Sequence, residues 1–372
     1  MNGLIAVSPQ ATRSPAVASQ PGAGASADLS VVIVNWNSRQ YLVACLASLR
    51  AHLGDLCYEL IVVDSGSFDG TAEMLRQETD VVFVQSMLNI GFARANNLGA
   101  QRAASATLLF LNPDTEVTAG SVQAMIHAHR TLPSVGVVGC RLLNSDGTLQ
   151  RSGVMPFPTV MNQVLDADVL QRLFPRAAWW QSALSFASES SPVVVEALSG
   201  ACMMIDRRAF FAIGGFSDDY FMYAEDIDLC CKADAVGLLN YYVPSAQIIH
   251  HGGGSSRHHR SGFANVMMRE SLHLFLTKRG GAIAANSYRY GLCVAAIVRL
   301  LSMAALSPVA LLTSRHHALA SSARKWRAIL RWSIGLEGWS CSPRRSPRPR
   351  DARLSTVGTT PSTDGLSKDT LQ

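Results

Sequence analysis

Charge is scarce in this sequence. Only 16% of its 372 residues are Asp, Glu, Lys or Arg, whereas 48% are hydrophobic and the mean hydropathy is positive, +0.16. A chain this apolar is not disordered over its length, and it is long enough to bury a full core in one large domain or two. The shortage of charge hints instead at contact with a membrane surface. The eight cysteines lack any CxxC or zinc-like spacing. With the adjacent pair Cys230-Cys231, they read as buried thiols of a reducing compartment. No GxGxxG follows the first apolar strand, which argues against a dehydrogenase, and the Gly-rich basic signature of a nucleotidyltransferase is missing there too. Near the N-terminus the only apolar run, Leu4 to Val7, is too short for a signal-peptide core. The expectation is a disordered tail over 1–28 of a cytoplasmic protein.

What is present begins at Leu29. The stretches "LSVVIVNW", "YELIVVD", "VVFVQ" and "ATLLFLN" are apolar without interruption and alternate with helical patterns such as "SRQYLVACLASLRAHL", "GTAEMLRQE" and "GFARANNLGAQRAA". Continuous apolar strands separated by helices call for an α/β fold whose mostly parallel sheet is covered on both faces. Ser38 and Asp69 are suited to cap the first two helices. Asp146-Gly147 signals a hairpin turn. Regularity lapses over 155–192 and returns with "VVVEALSGACMMI", an acidic helix, and the strands "LLNYYVP" and "AQIIHH". The expected organisation is a nucleotide-sugar-binding half at 29–140 and an acceptor-binding, catalytic half at 141–280. An apolar and basic helical segment at 281–335 and a disordered tail at 336–372 complete the chain.

In open parallel sheets ligands bind beyond the carboxyl ends of the strands. Asn35, Asp64, Asn112 and Asp114 all stand there. An acid such as Asp64 can accept from a base N–H or a ribose hydroxyl, or it can simply close a turn. Along "LNPD", side chains two apart face together. Asn112 and Asp114 would then offer hard oxygen to Mg²⁺ or Mn²⁺ bridging phosphates.

Seven stretches in order, "VVIVNWN", "LIVVDSGSFDGT", "NIGFARANN", "LLFLNPD", "LSGACMMIDRRAFFAIGGF", "YFMYAEDIDLC" and "IIHHGGGSS", span roughly 29–256. Together they resemble the family 2 glycosyltransferases of the GT-A fold, most of all the rhamnosyltransferase-like branch. The resemblance implies an inverting transferase using a nucleoside diphosphate sugar donor and a divalent metal (Mg²⁺ or Mn²⁺). It implies that Asp64 contacts the nucleobase and that Asn35, Asn89, Asn96, Asn112, Gly200 and Arg257 join the donor site. Asn112-Pro113-Asp114 stands where many relatives carry DxD, with Asp114 the metal ligand. Asn112 therefore supplies one negative charge fewer, and Ser65 and Phe68 also depart from the family's pattern.

Transfer with inversion needs a base to take the acceptor's proton and positive charge to stabilise the departing diphosphate. By resemblance the base is the second acid of the "ED" pair, Asp226. A helix N-terminus would favour its ionised form. Glu225 either orients the acceptor or caps the helix. The aromatic run Tyr220, Phe221 and Tyr223 offers a sugar a stacking wall or belongs to the core. Asp228 lies four before Lys232, the favourable order for a surface pair, and reads as structural. His250 and His251 alternate to opposite faces, so one of them reaches the site; the resemblance favours His250 as metal ligand. Gly252 to Gly254 permit a lid that Arg257 would help to close, or Arg257 belongs to a solvated basic loop.

"YGLCVAAIVRLLSMAALSPVALL" (Tyr290 to Leu312) is long enough to span a bilayer, its internal Arg299 and basic flank suit an interfacial helix equally, and a buried core helix is the remaining reading. The expected partners are the sugar-nucleotide donor, a lipid-linked or oligosaccharide acceptor for polysaccharide biosynthesis, and the cytoplasmic membrane surface. These imply a peripheral or monotopic enzyme at the inner membrane, with L-rhamnose from dTDP-L-rhamnose as the expected donor. A catalytically silent sugar-nucleotide binder or scaffold at the membrane is the alternative. A nucleic-acid partner is not expected, because the Arg-rich tail lacks interleaved aromatics.

Overall fold

The computed structural model describes residues 5–7, 27–54, 56–165, 183–252, 262–311, 316–338 and 340. The first half runs β1 (Ile5–Val7), β2 (Leu29–Asn35), α1 (Arg39–His52), β3 (Tyr58–Ser65), α2 (Thr71–Leu75), β4 (Val81–Ser86), α3 (Phe92–Arg102) and β5 (Thr107–Leu111). Then come β6 (Thr115–Val117), α4 (Ser121–Thr131), β7 (Val135–Leu143), β8 (Val154–Met155), α5 (Val160–Val164), β9 (Val193–Val195), β10 (Ala197–Leu198) and β11 (Cys202–Asp206). The chain continues through α6 (Arg207–Ala212), α7 (Glu225–Ala235) and β12 (Leu239–His250). A helical run, Phe263–Leu311, breaks at Gly281 (φ 70°) into α8 (263–280) and α9 (282–311), and α10 (His316–Ser333) comes last.

One large sheet has the order β1-β4-β3-β2-β5-β11-β7-β12-β6, with β9 also on β12; β8 and β10 pair separately. Strands β4, β3, β2 and β5 are parallel, as the apolar runs require. The other half is mixed: β11 is antiparallel to both β5 and β7, and β6 to β12, while β7 and β12 are parallel. Alternation along β2 explains why every residue in it is buried. Val31 and Ile33 join the core with Leu42, Leu46 and Leu49 of α1, and Val32 and Val34 join the opposite core with Ala93 and Ala100 of α3.

Two local expectations need amendment, and a third is met. Within 1–28, Ile5–Val7 adds an antiparallel strand to β4, because an apolar tripeptide satisfies that edge's free backbone groups. Ser38 does not cap α1. Its hydroxyl donates to the Trp36 carbonyl, and Asp69 accepts from Arg39 N instead (2.9 Å). That same carboxylate accepts from Thr71 N and Oγ1, so one acid serves the starts of both α1 and α2. The Asp146-Gly147 turn is present: Asn144 N donates to Thr148 O, and Leu143 bridges Leu149.

Candidate functional site

Register places the strand ends on one edge. Asn35 pairs with Asp64 across β2 and β3, and Ile33 pairs with Leu111 across β2 and β5, so Asn112-Pro113-Asp114 emerges beside Asn35. Asn112 N donates to Ala201 O (3.0 Å), which brings the "SGAC" turn alongside. Gly200 N in turn donates to Asp226 Oδ2 (2.8 Å). A continuous chain of contacts thus links "LNPD", "SGAC" and the start of α7.

The tightest constellation gathers around His250. Gln150 Nε2 donates to the His250 carbonyl (2.7 Å), so its amide oxygen must face the ring, where it lies 2.9 Å from Nδ1. An oxygen there needs a proton on Nδ1, which leaves the lone pair on Nε2. That nitrogen sits 3.3 Å from Asp114 Oδ1 and 3.4 Å from Asn112 Nδ2. In the neutral ring, Nε2 and the Asp114 carboxylate are both acceptors across a 3.3 Å gap that a cation would bridge. Asn112 Oδ1, close by, is buried with no hydrogen-bond partner. These residues fit a divalent cation: a carboxylate and an imidazole nitrogen lie 3.3 Å apart, Asn112 beside them has an amide oxygen without a partner, and the far ring nitrogen is already held by Gln150. The imidazole favours Mn²⁺ over Mg²⁺, which prefers an all-oxygen shell. Among the described residues no cluster holds three or more of His, Cys, Asp and Glu, so the protein's donor set depends on the amide. His251 faces the other way, to Glu116 (2.7 Å) and Ser145 (2.8 Å), as alternation requires.

Asp226 is half-buried at the first turn of α7. Its Oδ2 takes the Gly200 N–H and its Oδ1 the Ile227 N–H (2.8 Å). Burial raises its pKa above the usual carboxylate value and outweighs these two N–H donors, a direction opposite to the one a helix N-terminus alone would give. Glu225 is more deeply buried, with Oε2 unpartnered. Burial first, then the neighbouring Asp226 charge, pushes it well above its usual value. Both acids are thus raised by burial, and Glu225 carries the added repulsion of the neighbouring Asp226 charge. Gly200 lies close against the acid: a Cβ there would meet Asp226 Cβ at 3.2 Å and Oδ2 at 3.3 Å, so the carboxylate would have to give way by a few tenths of an ångström.

The segment before α7 is strained. Tyr223 (φ 71°) and Ala224 (φ 63°) are consecutive left-handed residues that are not glycine, at about 1–3 kcal/mol each. The segment is held from two sides, by Phe92 N donating to Phe221 O (2.9 Å) and Ser271 Oγ to Met222 O (2.8 Å). Gly91 makes that approach possible, since a Cβ would lie 2.6 Å from Phe221 O. Tyr220 is core rather than wall: it is fully buried, with its hydroxyl on Asp228 Oδ1 (3.3 Å). Phe221 and Tyr223 stay partly exposed. Asp228 pairs with Lys232 (3.3 Å) and accepts from Ser217 Oγ (2.6 Å), so the structural pair forms in a buried setting rather than on the surface.

Other candidates move away from open contact. Asn35 and Asp64 are fully buried, because the 65–71 turn folds over them. Asn35 Nδ2 reaches Asp64 Oδ1 (3.2 Å), Ser67 Oγ (3.1 Å) and Thr71 Oγ1 (3.2 Å), and Ser67 N and Oγ both donate to Asp64. Burial raises Asp64's pKa. Asn89 accepts from Gly91 N (3.0 Å) and Ser65 Oγ (3.3 Å), shaping its own loop. Asn96 is buried and turns its amide back to Phe92 O (3.1 Å). Arg257, like Gly253 and Gly254, lies outside the described residues. Two residues went unnoticed in the sequence. One is Gln150. The other is Asn97, which exchanges hydrogen bonds with Phe216 N and O and so ties α3 to the segment before the acidic turn.

Comparison with known proteins bears on the family and the fold. A family model for glycosyl transferase family 2 matches residues 30–211. An N-acetylglucosaminyl-diphospho-decaprenol L-rhamnosyltransferase of Mycobacterium tuberculosis is 30% identical over 264 residues, covering 65% of this chain and 85% of that protein. The rhamnosyltransferase WbbL of Escherichia coli is 23% identical over 61% of this chain and 84% of its own length. Among solved structures, the mannosyltransferase PcManGT of Pyrobaculum calidifontis, in complex with GDP-Man and Mn²⁺, aligns with a TM-score of 0.51 at 16% identity, covering 85% of this chain and 90% of that one. At that identity the likeness is one of fold, the GT-A arrangement.

Proposed function

Because the chain belongs to glycosyl transferase family 2 and is rhamnosyltransferase-like, we propose that it moves L-rhamnose from dTDP-L-rhamnose to a lipid-linked saccharide, inverting the anomeric centre. The observation that carries the proposal is the Asp226–Gly200–Ala201–Asn112–His250 chain of contacts, which joins a proton acceptor to a candidate diphosphate site. Support for the sugar and the acceptor comes from the mycobacterial relative, whose name specifies L-rhamnose and a diphospho-decaprenol-linked N-acetylglucosamine.

In this reading Asp226 accepts the proton of the acceptor hydroxyl as that oxygen attacks the anomeric carbon opposite the diphosphate. Gly200 N–H and Ile227 N–H fix both carboxylate oxygens, so the base is oriented before the acceptor arrives. Asp114 and His250, with the Asn112 amide oxygen, would hold a divalent cation, which supplies positive charge to the leaving diphosphate. Asn35 and Asp64 shape the base-binding end by holding the 65–71 turn, and Phe221 and Tyr223 shield the acceptor side. Residues 29–140 serve the donor and 141–280 the acceptor and the chemistry. Residues 281–335 keep the enzyme peripheral or monotopic at the inner face of the membrane.

A panel of nucleotide sugars, each assayed for hydrolysis with Mn²⁺, tests the donor. dTDP-L-rhamnose should be turned over fastest. Preference for a UDP- or GDP-sugar would overturn the choice of donor and leave the family intact.

A further inference from the structure

The function proposed above needs a place for the acceptor's lipid, and the site of that lipid rests on that reading. We propose that a groove between α5 and α9 holds the first isoprene units of the acceptor's polyprenyl tail, with Arg279 meeting the acceptor's diphosphate between the groove and Asp226.

The groove has a volume of about 410 Å³. Val164 and Leu165 at the end of α5 form one wall, and Tyr290, Val294 and Val298 of α9 form the other. Gly291 brings the walls together. A Cβ there would lie 2.7 Å from Val164 Cγ2, so only bare backbone lets α5 seat this closely against α9. Tyr290, Val294 and Val298 nonetheless stay exposed, and the groove opens to solvent along them. Of the described lining residues only Arg299 is charged, and its guanidinium is committed to the Trp326 ring, 4.1 Å from the centre. A ligand rich in polar groups would leave them unpaired here, whereas hydrocarbon would not. From Tyr290 to Val298 the wall runs eight residues, about 12 Å along the helix, which suits a slender chain.

The groove is tied to the catalytic end. Gly200, which donates to Asp226, lies four residues beyond Glu196, about 13 Å of extended chain. Glu196 accepts from Phe157 N, where β8 and β10 pair. Asn162 of α5 donates to Phe157 O (3.0 Å), and its capping box with Thr159 fixes the start of that helix. Arg279 stands between the two ends. Its guanidinium lies 4.8 Å from the centre of the Phe157 ring and donates to Cys231 Sγ. Cys231 follows Asp226 by five residues of α7, about 7.5 Å along the axis. Arg279 is exposed and has no carboxylate partner among the described residues. A lipid-linked saccharide presents a hydroxyl, a diphosphate and hydrocarbon in the same order. The acid, the cation and the apolar groove match it from end to end.

The test titrates the full chain by calorimetry with isopentenyl, geranyl and farnesyl diphosphate at concentrations where none forms micelles. Excess chelator keeps the diphosphates from the candidate metal site. Affinity should rise by about fivefold or more with each added isoprene unit. V294W, which fills the groove, and V298D, which charges it, should flatten that rise to within about threefold overall. R279A should weaken all three ligands by about tenfold and keep the dependence on chain length, and R279K should recover part of the loss. Excess dihexanoylphosphatidylglycerol should not displace farnesyl diphosphate. No dependence on chain length, the same dependence in V294W and V298D, an unaffected R279A, or displacement by the phospholipid would each overturn the proposal. Donor hydrolysis by V294W should match the unmodified chain. Because the titration involves no transfer, a chain that binds as described but moves no sugar would count against the function proposed above and not against the groove. Equal KM for acceptors with and without the prenyl tail would remove the groove from acceptor binding and leave the function intact.

Discussion

Gln150 grips His250 at both ends, donating to its carbonyl at 2.7 Å and meeting Nδ1 at 2.9 Å, so that Nε2 is aimed at Asp114. Gln150→Leu should therefore weaken Mn²⁺ binding by about 10- to 100-fold, the usual loss when the group behind a ligating histidine is removed. Donor KM should rise while kcat at saturating Mn²⁺ stays within a few-fold. Manganese titration followed by EPR reads the affinity directly; an unchanged affinity would make Gln150 a structural residue only.

Asp114→Ala should abolish metal-supported donor binding, and excess chelator should do the same to the unmodified enzyme, with recovery on adding Mn²⁺. Full activity in chelator would remove the metal role of both Asp114 and His250.

Gly200→Ala tests how closely the turn must approach the acid. Its Cβ would press on Asp226 at 3.2–3.3 Å, so the carboxylate must shift by a few tenths of an ångström. Because the glycine's backbone is of an ordinary kind, thermal stability should change little while kcat falls, by about tenfold or more. A large drop in melting temperature with normal kcat would show that the contact is structural.

Glu225 makes stability depend on pH. Its folded pKa lies above the ordinary 4.5 because it is buried, so its contribution is fully present below 4.5 and is lost as pH rises through the folded value. Glu225→Gln should flatten that decline, so that the variant outlasts the unmodified protein in urea at alkaline pH but not below the ordinary carboxylate value. Parallel stability curves would mean that Glu225 is ionised in the fold.

Much of this was legible in the residues. The strands β2, β3 and β5 declare themselves because both sheet faces are covered and every position must be apolar. The divergence of His250 from His251 results from the two-residue period of extended chain, whereas Asn112 and Asp114 reach His250 from either side of a turn at 113–114 rather than along a strand. Hidden were the features that depend on distant partners. The burial of Asn35 and Asp64 is set by how the 65–71 turn folds back, and Tyr220 joins the core because Asp228 lies within reach of its hydroxyl. Gln150 sits in a stretch without helical or strand period. Its one signal was the Asp146-Gly147 turn, which returns the chain beside β7 and hence beside the end of β12. The raised pKa of Asp226 could not be read locally, since burial by surrounding elements outweighs its place at a helix start.

Asp226→Asn is the most direct test of the account, because it keeps the size of the side chain and one of its two N–H contacts, to Gly200 or to Ile227, and removes the proton acceptor. With dTDP-L-rhamnose, Mn²⁺ and a lipid-linked acceptor, sugar transfer should fall about 100- to 10,000-fold. Donor affinity, measured by calorimetry on the same protein, should stay within about twofold. In the unmodified enzyme kcat/KM should decline as pH falls through the raised pKa of Asp226, above the ordinary 3.8. A variant that retains more than about a tenth of the transfer rate would contradict the account and assign the proton to another group.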